Sequence, residues 1–220
     1  MPEIRRRVRN AWGKFTRYKR QVFRCRSRWL SLKLRLLKSE VVEVLLYGCN
    51  AWTLSQEAWT LLQKAHRSML HIITGHRASA HDGRRRQSYH NLLLQTECEP
   101  IETTVRTRRL LLLGELVRQN DARIPKRMLF AELDHGKRSV GKPRPDWVSD
   151  VKGDMSKFDI DSKSWLETAK DGPKWRNLVE KQASHCTKKW HAEEEKKHRA
   201  RRTKEAQATA TADPDPVSNN

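Results

Sequence analysis

Eleven cations crowd the first stretch of this sequence: Arg5, Arg6, Arg7, Arg9, Lys14, Arg17, Lys19, Arg20, Arg24, Arg26 and Arg28. Trp12, Phe15, Tyr18, Phe23 and Trp29 are interleaved with them. Cations that neutralise backbone phosphates, beside rings that can stack on bases, are what gripping a single strand or a hybrid duplex requires. The plain alternative is a basic helix whose rings turn inward onto a protein body. A second cationic patch, "GKRSVGKPRP", supplies Lys137, Arg138, Lys142 and Arg144, and Arg84-Arg85-Arg86 forms a third. Each of these reads equally as a solvated loop.

Catalytic patterns are weaker. Asp146 after Pro145, then Asp159, Asp161 and Lys163, resembles the P-D…D-x-K set with which restriction-like nucleases hold a divalent metal. Those residues need paired strands, whereas Trp147–Phe158 has a helical period and Asp161-Ser162 reads as a helix cap. Capping is the expected role. His185, Cys186, His191 and His198 lie close in sequence but lack finger or knuckle spacing. His66, His71, His76 and His81 recur every five residues, about 140° per step, which scatters them around a helix. Both sets are expected to be surface histidines, with no metal. There is no glycine-rich phosphate loop and no G-x-S-x-G.

The totals point toward a polyanion. The 220 residues carry a net charge of +20, with a pI near 10.3, and Glu3 and Glu40 are the only acids in residues 1–40. Nucleic acid is the leading partner and an anionic membrane surface the runner-up. Four scattered cysteines (Cys25, Cys49, Cys98, Cys186) form no framework. No apolar run reaches membrane-span length, and "MPEIRRRVRN" has no signal-peptide core. An intracellular, reduced chain is expected, without membrane association. "KKHRARRTK" reads as a nuclear address or as a solvated run, which leaves nucleus and cytoplasm open.

Nearly every periodic segment that must position these residues is helical, so the expected fold is all-α, an irregular multi-helix bundle. Leu30, Leu34, Leu37, Val41, Val44 and Leu45 form one stripe, and Gly48 is placed to end that helix. Thr53 with Gln56 predicts a capping box for the next helix, which carries Ala58, Leu61, Leu62, Ala65, Met69, Ile72 and Ile73 and stops at Gly75. Between them, "LLYGCNAWTL" is a structural joint: Gly48 permits the turn while Tyr47 and Trp52 pack across the elbow. Residues 76–83 read as a loop, Tyr89, Leu92 and Leu93 as a helix, and Pro100 as the first turn of a long one, "IETTVRTRRLLLLGELVRQN". Trp147, Val151, Met155 and Phe158 mark another helix, and Trp165, Leu166 and Ala169 the next. The organisation predicted is a basic N-terminal arm (1–28), a helical bundle (29–120), a C-terminal helical region with a basic loop at 135–145 (121–190), and a charged helix with a disordered tail (191–220).

Five segments in this order, "EIRRRVRNAWGKF", "SLKLRLLKSEVVEVLLYGCNAWTL", "RRLLLLGELVRQNDARIPKRMLFAEL", "GKRSVGKPRPDW" and "FDIDSKSWLETAKDGPKWRNLV", carry a family resemblance. Together they resemble the C-terminal part of the endonuclease–reverse transcriptase of non-LTR, LINE-type retrotransposons related to the RTE and CR1 groups, over residues 3–182. The resemblance implies that the Tyr47, Gly48 and Trp52 joint belongs to the thumb and post-palm region that grips a template–primer duplex. Asn50 and Ala51 depart from the family's acidic residue and threonine. Leu111 to Glu115 keep only the glycine of its Arg-Trp-x-Gly-His pattern.

The family's polymerase centre is an aromatic-x-Asp-Asp box that holds magnesium, and no Asp-Asp pair occurs in these residues. The implied role is a non-sequence-specific grip on RNA, RNA–DNA hybrid or single strands. On this reading the chain is non-catalytic by itself, needs no cofactor of its own, and would act with a palm domain supplied in cis. Two alternatives stand beside it: a self-standing or host-co-opted nucleic-acid-binding module, and an inactive pseudogene product.

Overall fold

Ile4, Val8, Ala11 and Phe15 recur three or four residues apart, and that period builds helix α1 (Pro2–Tyr18). The computed structural model describes residues 2–75, 87–130 and 146–211. A wide π-type turn, Lys19–Phe23, follows α1 and brings Phe23 back onto Phe15, the two rings stacked 4.4 Å apart. Trp12 meets Phe15 edge-on at 5.3 Å. Both phenylalanines are fully buried, and each ring contributes about 1.5–3 kcal/mol by leaving water. Surface ion pairs are worth far less, so apolar burial sets the position of α1 against the rest of the chain.

Helices α2 (Leu30–Leu36) and α3 (Glu43–Leu45) are joined without a break through a π-type segment, Leu37–Val42. Its wider turns take an extra residue and rotate the buried stripe. Lys33 is buried before it, Leu37, Val41 and Val42 within it, and Leu45 and Leu46 after it. Leu30, Leu34 and Val44, expected on the core face, are consequently only half-buried. Gly48 ends the rod in the left-handed region (φ 75°), where a side chain would be strained.

A 3₁₀ turn, Cys49–Ala51, and extended backbone at Trp52 lead to helix α4 (Gln56–Thr74). The cap of α4 is Ser55, whose hydroxyl accepts the Ala58 N–H at 3.3 Å. The expected Thr53–Gln56 box is therefore two residues early, because Gln56 is already the first helical residue. Gly75 closes α4 at φ 74°, as its position predicted.

Helix α5 (Tyr89–Thr96) is capped by Ser88, and α6 (Ile101–Val117) follows Pro100. The short α7 (Ile124–Phe130) leaves Ile124, Met128 and Phe130 exposed. Then come α8 (Trp147–Lys157), α9 (Trp165–Lys170) and α10 (Gly172–Thr211). The expected all-α architecture is observed, and among the described residues there is no strand. None of their helices is long and apolar enough to cross a membrane. The loop at 76–83, the Arg84–Arg86 run, the basic loop at 135–145 and the tail from 212 lie outside the described residues.

Helix α6 is apolar on most sides because it serves two cores. Ile101 and Val105 join the core made by α1 to α5. Leu110, Leu113 and Val117 join the core made with α8, α9 and α10. Helix α10 reaches both: Trp175, Val179 and Ala183 fill the second, and Trp190 packs against the first.

Candidate nucleic-acid interface

At 100° per residue, the buried side of α1 leaves Arg5, Arg6, Arg9 and Arg17 on the opposite, outward side. All four are exposed, and exposed Arg20 in the π-type turn continues the row. Arg6 is 2.5 Å from Glu3, whose carboxyl is held below its usual range by hydrogen bonds from Arg6 and Arg7. Arg5, Arg9, Arg17 and Arg20 pair with no carboxylate among the described residues. An α-helix of 17 residues extends about 25 Å, long enough to follow several successive phosphates.

The other cations of the set are committed locally. Arg7 donates to Glu3 at 2.8 Å and lies 4.7 Å over the Tyr47 ring. Lys14 reaches Glu40 at 3.4 Å, and Lys19 is half-buried in the π-type turn. The rings divide as well. Phe15 and Phe23 are core, Trp12 and Tyr18 pack partly against it, and Trp29 stands 81% exposed. Stacking on a base from this surface therefore rests on Trp29 rather than on the buried phenylalanines. Lys137, Arg138, Lys142 and Arg144 lie outside the described residues.

The joint is held from two sides. The Trp147 indole donates to the Asn50 carbonyl at 2.8 Å, and Arg109 donates to the Trp52 carbonyl at 3.3 Å. Trp52 packs inward, but Tyr47 is 66% exposed under Arg7 and does not pack across the elbow. Capture of backbone carbonyls, not an aromatic clasp, fixes this corner.

Arg109 is itself almost fully buried. It donates to Asp150 at 2.9 Å and lies 3.0 Å from Asp154, which Arg106 also approaches at 3.2 Å without hydrogen-bond alignment. Burial outweighs the two guanidinium groups and pushes the Asp154 carboxyl up to about 6. The sequence reading missed this network. A signal existed: Arg109 occupies the four-residue spacing of buried Val105 and Leu113, and Asp150 and Asp154 are four apart on α8.

The nuclease-like carboxylates are occupied elsewhere. Asp146 accepts from the Ser149 hydroxyl, Asp159 pairs with Lys189, and Asp161 accepts from the Lys163 N–H and the Ser164 hydroxyl. Asp161 therefore closes the turn before α9 rather than capping it as expected, because the N-cap of that helix is Ser164. Among the described residues no group of three or more His, Cys, Asp or Glu side chains could hold a metal ion.

The histidines depart from expectation. His66 and His71 are buried rather than on the surface. His66 Nδ1 lies 2.8 Å from the Tyr89 hydroxyl, and burial holds its imidazole down at about 4. Half-buried His191 and His198 gather on buried His90, with ring centroids 5.0 and 6.0 Å from it. Burial and the nearby His90 lower the pKa of His191.

No protein-family model matches the chain, and no solved structure does. An uncharacterized transposon-derived protein of Caenorhabditis elegans is 24% identical over 184 residues, covering 81% of this chain and 64% of that protein. The chain thus spans just under two thirds of that relative's length.

Proposed function

We propose that this chain is transposon-derived and works as a nucleic-acid grip, in the manner of the thumb and C-terminal region of a LINE-type reverse transcriptase. The arginine row on the outward side of α1 carries the reading. It is long, nearly free of carboxylates, and borne by a helix whose other side is anchored in a core. Such a surface neutralises phosphates in register with a helix axis and makes no demand on base identity. Similarity to a transposon-derived protein supports the origin, and the order of the five segments supports the finer assignment.

Each residue then has a physical task. Arg5, Arg9, Arg17 and Arg20 meet phosphates directly, with Arg6 joining when it exchanges Glu3 for a phosphate oxygen. Phe15 and Phe23 keep the row rigid, so that little side-chain and helix ordering remains to be done on binding. The joint at Tyr47–Trp52 holds the rod of α2 and α3 at a fixed angle to α4. Magnesium chemistry belongs to an Asp-Asp palm in the family that the sequence resembles, and among the described residues no group of three or more His, Cys, Asp or Glu could hold a metal ion. The chain's own contribution is binding and orientation.

Fluorescence anisotropy with a labelled RNA–DNA hybrid and a labelled single-stranded RNA tests this reading. The logarithm of affinity should fall linearly with the logarithm of salt between about 50 and about 200 mM. Unrelated sequences should bind equally. Absence of salt-dependent binding to both ligands would overturn the proposal.

A further inference from the structure

A cleft of about 570 Å³ opens where the segment after the π-type turn meets the first turn of α2 and the last turn of α4. Arg24, Arg26, Arg28 and Lys33 line it, with Phe23, Leu30, Ile72 and Ile73 supplying apolar wall. No carboxylate lines it among the described residues. Lys33 is only 7% exposed, yet its ammonium has no ion pair or side-chain hydrogen bond with a described residue. Three guanidinium groups and this ammonium share one mouth and repel one another. An anion seated in the cleft would relieve that repulsion.

We infer that this cleft receives the terminal phosphate of a nucleic-acid strand. The inference deepens the grip proposed above and rests on it. Three arginine forks can each take two phosphate oxygens, and Lys33 adds a point charge from below. A terminal monoester carries close to two negative charges at neutral pH, against one for a backbone diester, so it matches a four-cation site better. The volume lies in the range of small-ligand sites, enough for the end nucleotide as well. Its base would rest on the wall of Leu30, Ile72 and Ile73. Arg24 follows directly on the turn that holds Arg20, so a strand running along α1 would end at the cleft.

The test uses the full chain and one decamer in three forms: 5′-phosphorylated, 3′-phosphorylated, and hydroxyl at both ends. A terminal phosphate at one end is expected to tighten binding by about tenfold, the scale of one or two charge-assisted hydrogen bonds. Lys33→Met, which keeps the buried volume, and the exposed pair Arg26→Ala with Arg28→Ala should each erase that preference. Both variants should keep the salt dependence of the hydroxyl decamer, which reports the α1 row. Equal affinity of all three forms, or a preference that survives both variants, overturns the inference. Thermal shift with a 5′-mononucleotide gives an independent reading. Stabilisation lost in Lys33→Met supports the cleft even if no decamer binds, whereas no stabilisation together with no end preference rejects it.

Discussion

The Trp175 indole lies against the backbone of Gly114, and its Nε1–H donates to the Leu110 carbonyl at 2.8 Å one turn earlier in α6. A Cβ at position 114 would fall well inside contact distance of the Trp175 ring. The tryptophan is fully buried and cannot step aside. This contact explains physically why position 114 is a glycine.

Gly114→Ala is therefore expected to destabilise the protein by about 1–3 kcal/mol through overpacking. Helix propensity works the other way, favouring alanine by about 1 kcal/mol, so urea unfolding distinguishes the two effects by sign. A more stable variant would contradict the packing of α10 on α6.

Removing the partner of a buried guanidinium should cost more. Asp154→Ala leaves Arg109 with Asp150 as its one carboxylate among the described residues, and a loss of about 3–5 kcal/mol is expected. Asp154→Asn keeps the shape and should cost clearly less.

The same carboxylate gives the stability a pH signature. Its folded pKa, about 6, is above its ordinary 3.8, so the folded state holds an extra proton between those values. Asp154's contribution is therefore full below about 3.8 and is lost as pH rises through about 6. Urea midpoints of the wild type and Asp154→Asn, compared across that window, should diverge. Parallel curves would contradict the burial of this group.

His66 works in the opposite sense. Burial lowers it from 6.5 to about 4, so its contribution is full above 6.5 and is lost as pH falls toward 4. In NMR its ring resonances should stay flat through pH 6.5 and move only near 4. A midpoint at 6.5 would mean that the Tyr89 contact opens to water.

Much of this fold was legible because its core residues repeat at helical spacing and its helices end at glycines that must turn left-handed. Gly48 and Gly75 are read correctly for that reason. The π-type segment at Leu37–Val42 was not legible, since it answers to packing against α1 rather than to local sequence. The Ser55 cap was missed because Thr53 and Gln56 offered the same chemistry two residues earlier. The outward arginines were visible as a cluster, but their separation from Arg7 and Lys14 required knowing which side of α1 is buried. His66 meets Tyr89, 23 positions away, and Lys33 lines one cleft with the last turn of α4. Neither contact leaves a local mark.

The most direct test sets two charge reversals of equal size against each other in the full chain. One changes Arg5, Arg9, Arg17 and Arg20 to Glu on the outward side of α1. The other changes exposed Lys188, Lys196, Arg201 and Arg202 to Glu on α10. Binding of an RNA–DNA hybrid is measured across salt for both. The α1 variant should lose affinity steeply and flatten the log–log salt slope by about 3–4, one increment per phosphate contact removed, while the α10 variant keeps a slope near wild type. Equal losses from the two variants, or an unchanged slope in the α1 variant, would contradict the assignment of α1 as the grip.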